Sequence, residues 1–261
     1  SSGGTSSERI GAMLRQVAAD ASVGTIVLDV DSPGGAVAGI QELAAELYEI
    51  RGRGTQRIVA HVNGLGASAA YWILSQADEI VGAPSSEVGS IGVVFAHKDL
   101  SEALKAEGIN LTVFSAGKYK TEGSPFGPLT DEAKAFMQAR VDEAYGQFVK
   151  DVARGRGVPV GDVRKGYGEG RVLSAKDAKA AGLIDRIATM DEVLSKLSGR
   201  RAPAGMRAAV PEDVIAAIAE GEPYVSVVDD PPIPEGLTLT LAGSNSDDLA
   251  EADRRRRLER F

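Results

Sequence analysis

Ser68 lies in the run Gly64-Leu65-Gly66-Ala67-Ser68-Ala69-Ala70-Tyr71-Trp72, and Lys120 in Gly117-Lys118-Tyr119-Lys120-Thr121-Glu122-Gly123. The chain has no Cys and only two His, so a thiolate nucleophile is excluded and a histidine base has two candidates. A serine set among small residues lets a polypeptide backbone approach it closely. A lysine takes the serine's proton only if desolvation or a nearby cation lowers its pKa from about 10.4. Lys118 is the rival, because a loop of period two aims both lysines the same way.

Three further segments supply what such a pair needs. Asp31-Ser32-Pro33-Gly34-Gly35 follows a β-branched run and precedes a helix. Gly34 and Gly35 there let backbone N–H groups face outward, as an oxyanion hole requires. Ser90, in Val88-Gly89-Ser90-Ile91-Gly92-Val93, offers a hydroxyl to orient a neutral lysine. At the start of a helix, Ser68 would meet a dipole that favours developing negative charge.

Each of these segments also has a plain structural reading. The glycine pair fits an ordinary turn that needs special dihedrals. Ser68 fits a helix start packed tightly by Ala and Gly, Ser90 fits a turn serine, and Lys120 fits a solvated lysine. His61, inside an apparent strand, and His97, at the end of another, have no motif context for a Ser-His-Asp triad. Two isolated His show no metal-ligand spacing, and no glycine loop matches a nucleotide fingerprint. No metal and no cofactor are expected.

The elements that would position these residues read as strands alternating with helices. Helices are predicted over Glu8–Ala19 with Ser7 as cap, from Val37 to Leu47, from Ala67 to Gln76, over Asp99–Glu107, and over Thr130–Arg154. Further helices are predicted after Ser174-Ala175-Lys176-Asp177, which looks like a capping box, and over Asp191–Leu197. The long helix is expected to bury Ala133, Phe136, Met137, Val141, Ala144, Phe148 and Val152. Strands are predicted over Thr25–Val30, Arg57–Val62, Glu79–Gly82, Ile91–Ala96 and Leu111–Ser115. Alternation of this kind argues for an α/β fold with parallel strands and right-handed crossovers.

Composition bounds the function classes. Among 261 residues, 43 % are apolar, the net charge is −8 and the pI is about 5.0, which argues against a nucleic-acid-binding surface. No run of 18 apolar residues exists to span a bilayer. The chain opens on Ser1 rather than Met, so a processed or trimmed start remains open. Composition shifts after Gly199 towards Pro and charge, ending in Arg254-Arg255-Arg256-Arg257. Residues 1–199 are therefore expected to form the core domain, and 200–261 an extended, flexible arm.

Taken together and in order, Asp31-Ser32-Pro33-Gly34-Gly35, Gly66-Ala67-Ser68-Ala69-Ala70-Tyr71, Gly89-Ser90-Ile91-Gly92-Val93 and Tyr119-Lys120-Thr121 resemble the signal peptide peptidase A family of serine peptidases, S49. The resemblance runs from about Gly3 to Leu197. Gly117 to Gly157 looks particularly like the bacteriophage branch, the head maturation (prohead) proteases that process scaffold, portal or capsid proteins. It implies a crotonase/Clp-protease-like fold of repeated ββα units and a Ser–Lys dyad. Ser68 would be the nucleophile, Lys120 the general base and Ser90 the lysine-holding hydroxyl, with Gly34 and Gly35 at the oxyanion and substrate loop.

The resemblance further implies polypeptide substrates and a homo-oligomer with active sites near subunit interfaces. It places the protein in the host cytoplasm or the phage prohead, with membrane association through a missing N-terminus left open. Two departures stand out. Ala69 and Ala70 replace glycines usual in the membrane-bound members, and strands that the family carries upstream of Gly3 are lacking here. Other readings are a bacterial signal-peptide peptidase, an acyl-CoA enzyme of the crotonase type, and an inactive assembly or scaffold protein.

Overall fold

The computed structural model describes residues 5–198 and the strand Thr238–Ala242. Helix α1 (Ser7–Ala18) is capped by Ser6, whose hydroxyl accepts from Arg9 N–H at 3.1 Å. The expected cap, Ser7, is instead the first helical residue. Strand β1 (Thr25–Ser32) leads to α2 (Ile40–Arg53), which ends at Gly54 in the left-handed conformation. Val37, expected on the inner face of this helix, precedes it and is exposed. Strand β2 (Arg57–Ala67) runs five residues beyond its expected end and delivers the chain to the short helix α3 (Ala69–Leu74).

Strands β3 (Glu79–Gly82) and β4 (Glu87–Gly89) follow, then α4 (Ser101–Ala106) and the long α5 (Asp131–Arg156). The chain closes its described body with α6 (Val160–Gly166), β5 (Val172–Ser174), α7 (Ala175–Ala181), β6 (Arg186–Ile187) and α8 (Met190–Leu197). The reciprocal capping box belongs to α8, between Thr189 and Glu192. At α7 the Ser174 hydroxyl accepts from Asp177 N–H but donates to the Asp177 carboxylate, so the box expected there is only half made.

The result is a mixed α/β architecture. Strand β2 is its spine: Arg57–Val62 pairs with β1, Val59–Val62 with β3, and Leu65–Ala67 with β4, all in parallel. Because β2 changes partner along its length, the sheet curls there. Strand β6 adds parallel to β3, and β5 adds antiparallel to β4. Thr238–Ala242 forms β7, parallel to β1 with Asp31 opposite Ala242. The rest of the expected C-terminal arm lies outside the described residues.

Period-two alternation decides the two faces. Ile26, Leu28 and Val30 of β1, with Ile58, Ala60 and Val62 of β2, pack under Leu14 of α1 and Leu43 and Leu47 of α2. Val59, Val81 and Ala188 face the other way, against Val193 of α8. His61 points to that second side, fully buried, with Nε2 at 3.2 Å from Ala188 O and Nδ1 at 3.7 Å from Asp29 Oδ1.

Helix α5 divides into two halves. Its C-terminal half is anchored: Phe148 stacks on Trp72 with centroids 4.5 Å apart, and Trp72 Nε1–H donates to Asp151 Oδ2 at 2.8 Å. Its N-terminal half stands off the body. Ala133 is buried, but Phe136 is 52 % exposed and Met137, Val141 and Ala144 are half-buried. The two other expected strands also fail to form. Ile91–Ala96 and Leu111–Ser115 have no strand partner among the described residues, and Val94 and Phe114 are 90 % and 93 % exposed. Apolar alternation alone does not make a strand without an edge to join.

Two measurements test this account of the body. Phe148→Ala removes the stacked ring and should cost about 3–5 kcal/mol, lowering Tm by on the order of 10 °C; a change within about 1 °C would contradict the anchoring role. The second concerns Asp185, which accepts from Arg156 Nη2–H at 2.6 Å and from Ile80 N–H at 2.7 Å. Burial raises its pKa, but these hydrogen bonds outweigh it and hold the carboxyl below its ordinary 3.8. A depressed carboxyl stabilises the fold above the unfolded value and loses that contribution as pH falls through the folded one. Asp185→Asn should therefore be less stable than wild type in urea at pH 7, with the gap narrowing steadily below about pH 4.

Candidate active site

Ser68 occupies the single residue between β2 and α3, with φ 52° and ψ −125°. A non-glycine residue at positive φ costs on the order of 1–3 kcal/mol and persists only where its surroundings over-determine it. Here they do. Ser68 N–H donates to Gly89 O of β4 at 2.9 Å, and Ser68 O accepts from Trp72 N–H at 3.0 Å. Ala67, Ala69 and Ala70 around it are buried, while Ser68 itself is half-buried. A sharp strand-to-helix turn of this kind presents a hydroxyl clear of its own backbone. The turn, rather than a helix dipole, is the signature, since α3 has only six residues.

The Asp31–Gly35 loop packs directly on this turn. Gly34 has φ 101°, and a β-carbon there would lie 2.7 Å from Ser68 Cβ and 2.8 Å from Ala69 N. Gly34 N–H is occupied by Ser32 Oγ at 3.2 Å. Gly35, by contrast, is exposed with open space around it. Asp31 ties the loop to the strand carrying the serine, its Oδ1 accepting from Leu65 N–H at 3.0 Å. Since Ser68 N–H and Gly34 N–H are both engaged, the backbone N–H groups of Gly35 and Ala69 are the candidates to meet a developing oxyanion. Sequence reading named Gly34 and Gly35 but missed Ala69 and the Asp31 tie.

Ser90 also sits at positive φ, 53°, one residue beyond the Gly89 carbonyl that holds Ser68. The structure thus brings together Ser68, Gly34 and the Gly89–Ser90 turn. Lys120 makes no hydrogen bond to any of them; it is exposed on a turn where its N–H donates to Gly117 O at 3.1 Å. Every residue from Ile109 to Thr121 is exposed. A groove of about 480 Å³ beside this segment is lined by Val113, Lys118, Tyr119, Phe126 and Glu132, not by Ser68.

The rival lysine is differently placed. Lys118 Nζ donates to Tyr119 OH at 2.7 Å and to Glu132 Oε1 at 3.3 Å. Those hydrogen bonds, Tyr119 first and then Glu132, push its pKa up from the ordinary lysine value, which is the wrong direction for a base. The histidines are occupied elsewhere: His61 with Ala188 O, and His97 with Ser124 O at 2.9 Å. Among the described residues, no group of three His, Cys, Asp or Glu has metal-binding geometry, and no helix is long and apolar enough to cross a membrane.

With this geometry in view, comparison with known proteins is decisive at the level of family. The chain belongs to peptidase family S49, whose model matches residues 53–202, a span that includes Ser68, Ser90 and Lys120. It is 40 % identical over 185 residues to a protease-named protein of Methanocaldococcus jannaschii, covering 71 % of this chain and 58 % of that one. It is 31 % identical over 194 residues to capsid assembly protease C of Escherichia phage lambda, covering 74 % and 43 % respectively. It is also 29 % identical to an Enterococcus faecium protein named for signal peptide peptidase SppA, over 70 % of this chain and 53 % of that one. The chain therefore spans about half the length of the curated relatives it matches.

The tight contact at Gly34 generates a prediction. Gly34→Ala combines a forbidden φ with a 2.7 Å clash against Ser68, so reaction of Ser68 with a fluorophosphonate probe should fall at least tenfold while circular dichroism stays native. Gly24→Ala, where a β-carbon meets nothing within 4 Å, serves as control. Equal labelling of the two variants would contradict the packing argument.

Proposed function

We propose that the protein is a serine endopeptidase working through a Ser68–Lys120 dyad and an acyl-enzyme. The observation that carries the reading is the strained Ser68 turn, braced by Gly89 O and packed on Gly34, inside a chain of family S49. Ser68 Oγ attacks the scissile carbonyl and its proton passes to neutral Lys120. The N–H groups of Gly35 and Ala69 receive the oxyanion. Lys120 then protonates the leaving amine, and a water activated by the same lysine releases the acyl group. Ser90 Oγ holds the lysine in place.

Two features of the lysine segment support a homo-oligomer whose sites lie near subunit interfaces. Lys120 is carried on a stretch in which every residue from Ile109 to Thr121 is exposed, and that stretch presents Val113 and Phe114 to solvent. A second copy seated there would cover this apolar surface and desolvate the lysine, as a base requires. We further read the fold as the crotonase/Clp-like arrangement of ββα units, with residues 1–199 as the peptidase domain.

For substrates we favour phage scaffold, portal or capsid proteins, processed in the host cytoplasm or the assembling head. Similarity to the lambda capsid assembly protease supports this. Signal-peptide cleavage is the second reading, supported by the similarity to the Enterococcus protein.

The dyad is tested with fluorescently labelled casein. Ser68→Ala and Lys120→Ala should each lose more than about a thousandfold in rate, while Lys118→Ala keeps most activity. Mixing the two inactive variants should restore part of the rate if one active site draws Ser68 and Lys120 from different copies. Wild-type-like cleavage by either single variant would sink the dyad, and inactivity of Lys118→Ala would transfer the base to that residue.

A further inference from the structure

Three non-glycine residues have positive φ among the described residues: Ser68 (52°), Ser90 (53°) and Glu169 (50°). Two of them belong to the site described above. The third belongs to a tight arch between α6 and β5, Gly168-Glu169-Gly170, in which all three consecutive residues are left-handed, with φ 83°, 50° and 92°. A run of this kind is rare for residues that carry a β-carbon.

Backbone hydrogen bonds join the three strained residues into one unit. The arch is closed by Arg171 N–H donating to Gly168 O at 2.9 Å. That closure presents Arg171 O to Ser90 N–H, which donates to it at 2.8 Å. One residue back, Gly89 O receives Ser68 N–H at 2.9 Å. The fit is close on both sides, since a β-carbon on Gly89 would lie 2.7 Å from Arg171 O. The antiparallel pairing of Gly89 with Val172 continues the same ladder. Tyr167, buried at the foot of the arch, anchors it through its hydroxyl to Gly182 O at 3.1 Å.

We infer that the Gly168–Arg171 arch is the positioning element of the active site, and that Glu169 acts through its left-handed backbone rather than through its carboxylate. The inference rests on Ser68 being the nucleophile. The arch fixes Arg171 O, Arg171 O fixes Ser90, and the same turn fixes the carbonyl that holds Ser68 in its strained conformation. Glu169 is exposed, so its side chain can be changed with little loss of packing. The position is therefore a clean probe of backbone conformation.

The experiment is a substitution series at Glu169, read by steady-state kinetics on labelled casein and by active-site titration with a fluorophosphonate. Val, which resists a left-handed conformation, should lower kcat about tenfold with KM within twofold, at an unchanged number of titratable sites. Asn and Gly, which tolerate that conformation, should restore most of kcat although neither carries charge.

Loss of activity in all three variants would overturn the inference in favour of a carboxylate that contacts substrate. Wild-type kcat per titrated site in Glu169→Val, with only Tm lowered, would reduce the arch to a merely structural role. Ser68→Ala, run alongside, separates the two claims. If it remains active, the nucleophile assignment fails. If it is inactive while Glu169→Val turns over normally, only the positioning claim fails.

Discussion

The hydrogen bond from Ser68 N–H to Gly89 O is the interaction on which this arrangement turns. It forms because β2 is long enough to change partner, pairing with β3 through Val62 and with β4 from Leu65 onwards. The switch brings the end of β4 alongside the last residue before α3. That carbonyl is the strand-side partner of a serine held at φ 52°. Side-chain identity follows from the same constraint. Gly34 lacks a β-carbon because Ser68 Cβ, Ala69 N and Ala67 O occupy the space it would need. Gly89 lacks a β-carbon because Arg171 O occupies the space.

Some of this was legible in the sequence. Period-two and period-3.6 patterns located β1, β2, β3 and the long helix to within a few residues, except that β2 extends to Ala67. The runs of Gly and Ala marked the turns at Gly34 and Ser68. Other features had no sequence signal. Glu169 is not a residue type that announces a left-handed backbone, and only the ladder around Ser90 shows why it adopts one. The extent of β2 was hidden because Gly64 and Gly66 read as the end of a strand. The apolar alternation in Leu111–Ser115 was misleading, since Leu111, Val113 and Phe114 are all exposed and the segment joins no strand among the described residues. Phe136 shows the same limit on a helix face: its spacing fits burial, yet it is half exposed.

The two halves of the proposed dyad differ sharply in mechanical character. Ser68 is braced from three sides by β4, α3 and the Asp31–Gly35 loop. Lys120 is carried on a stretch of exposed residues whose neighbouring helix α4 buries none of its six. A catalytic base needs fixed geometry and a dry environment, and neither is supplied to Lys120 by its own surroundings. Lys118, tied to Tyr119 and Glu132, is better ordered but held in its protonated form. On the proposed reading, this asymmetry has a use. The nucleophile is shaped within each folded chain, whereas the base becomes competent only when the exposed segment is covered. An unassembled subunit would then have a preformed serine and no active proton acceptor.

On the proposed reading, that division also accounts for where strain is concentrated. Strained conformers persist only when surrounding structure over-determines them, so they belong in the half of the site that is complete in one chain. Among the described residues, the three positive-φ residues that carry side chains lie there, linked through Gly89 O and Arg171 O, and none lies on the segment that carries Lys120. Had the lysine segment carried comparable strain, its exposed surroundings within one chain would have offered little to hold it. On the proposed reading, the arrangement keeps the costly geometry on the hydrogen-bonded ladder of β2, β4 and β5 and leaves the mobile chemistry, a proton on an amine, to the exposed loop.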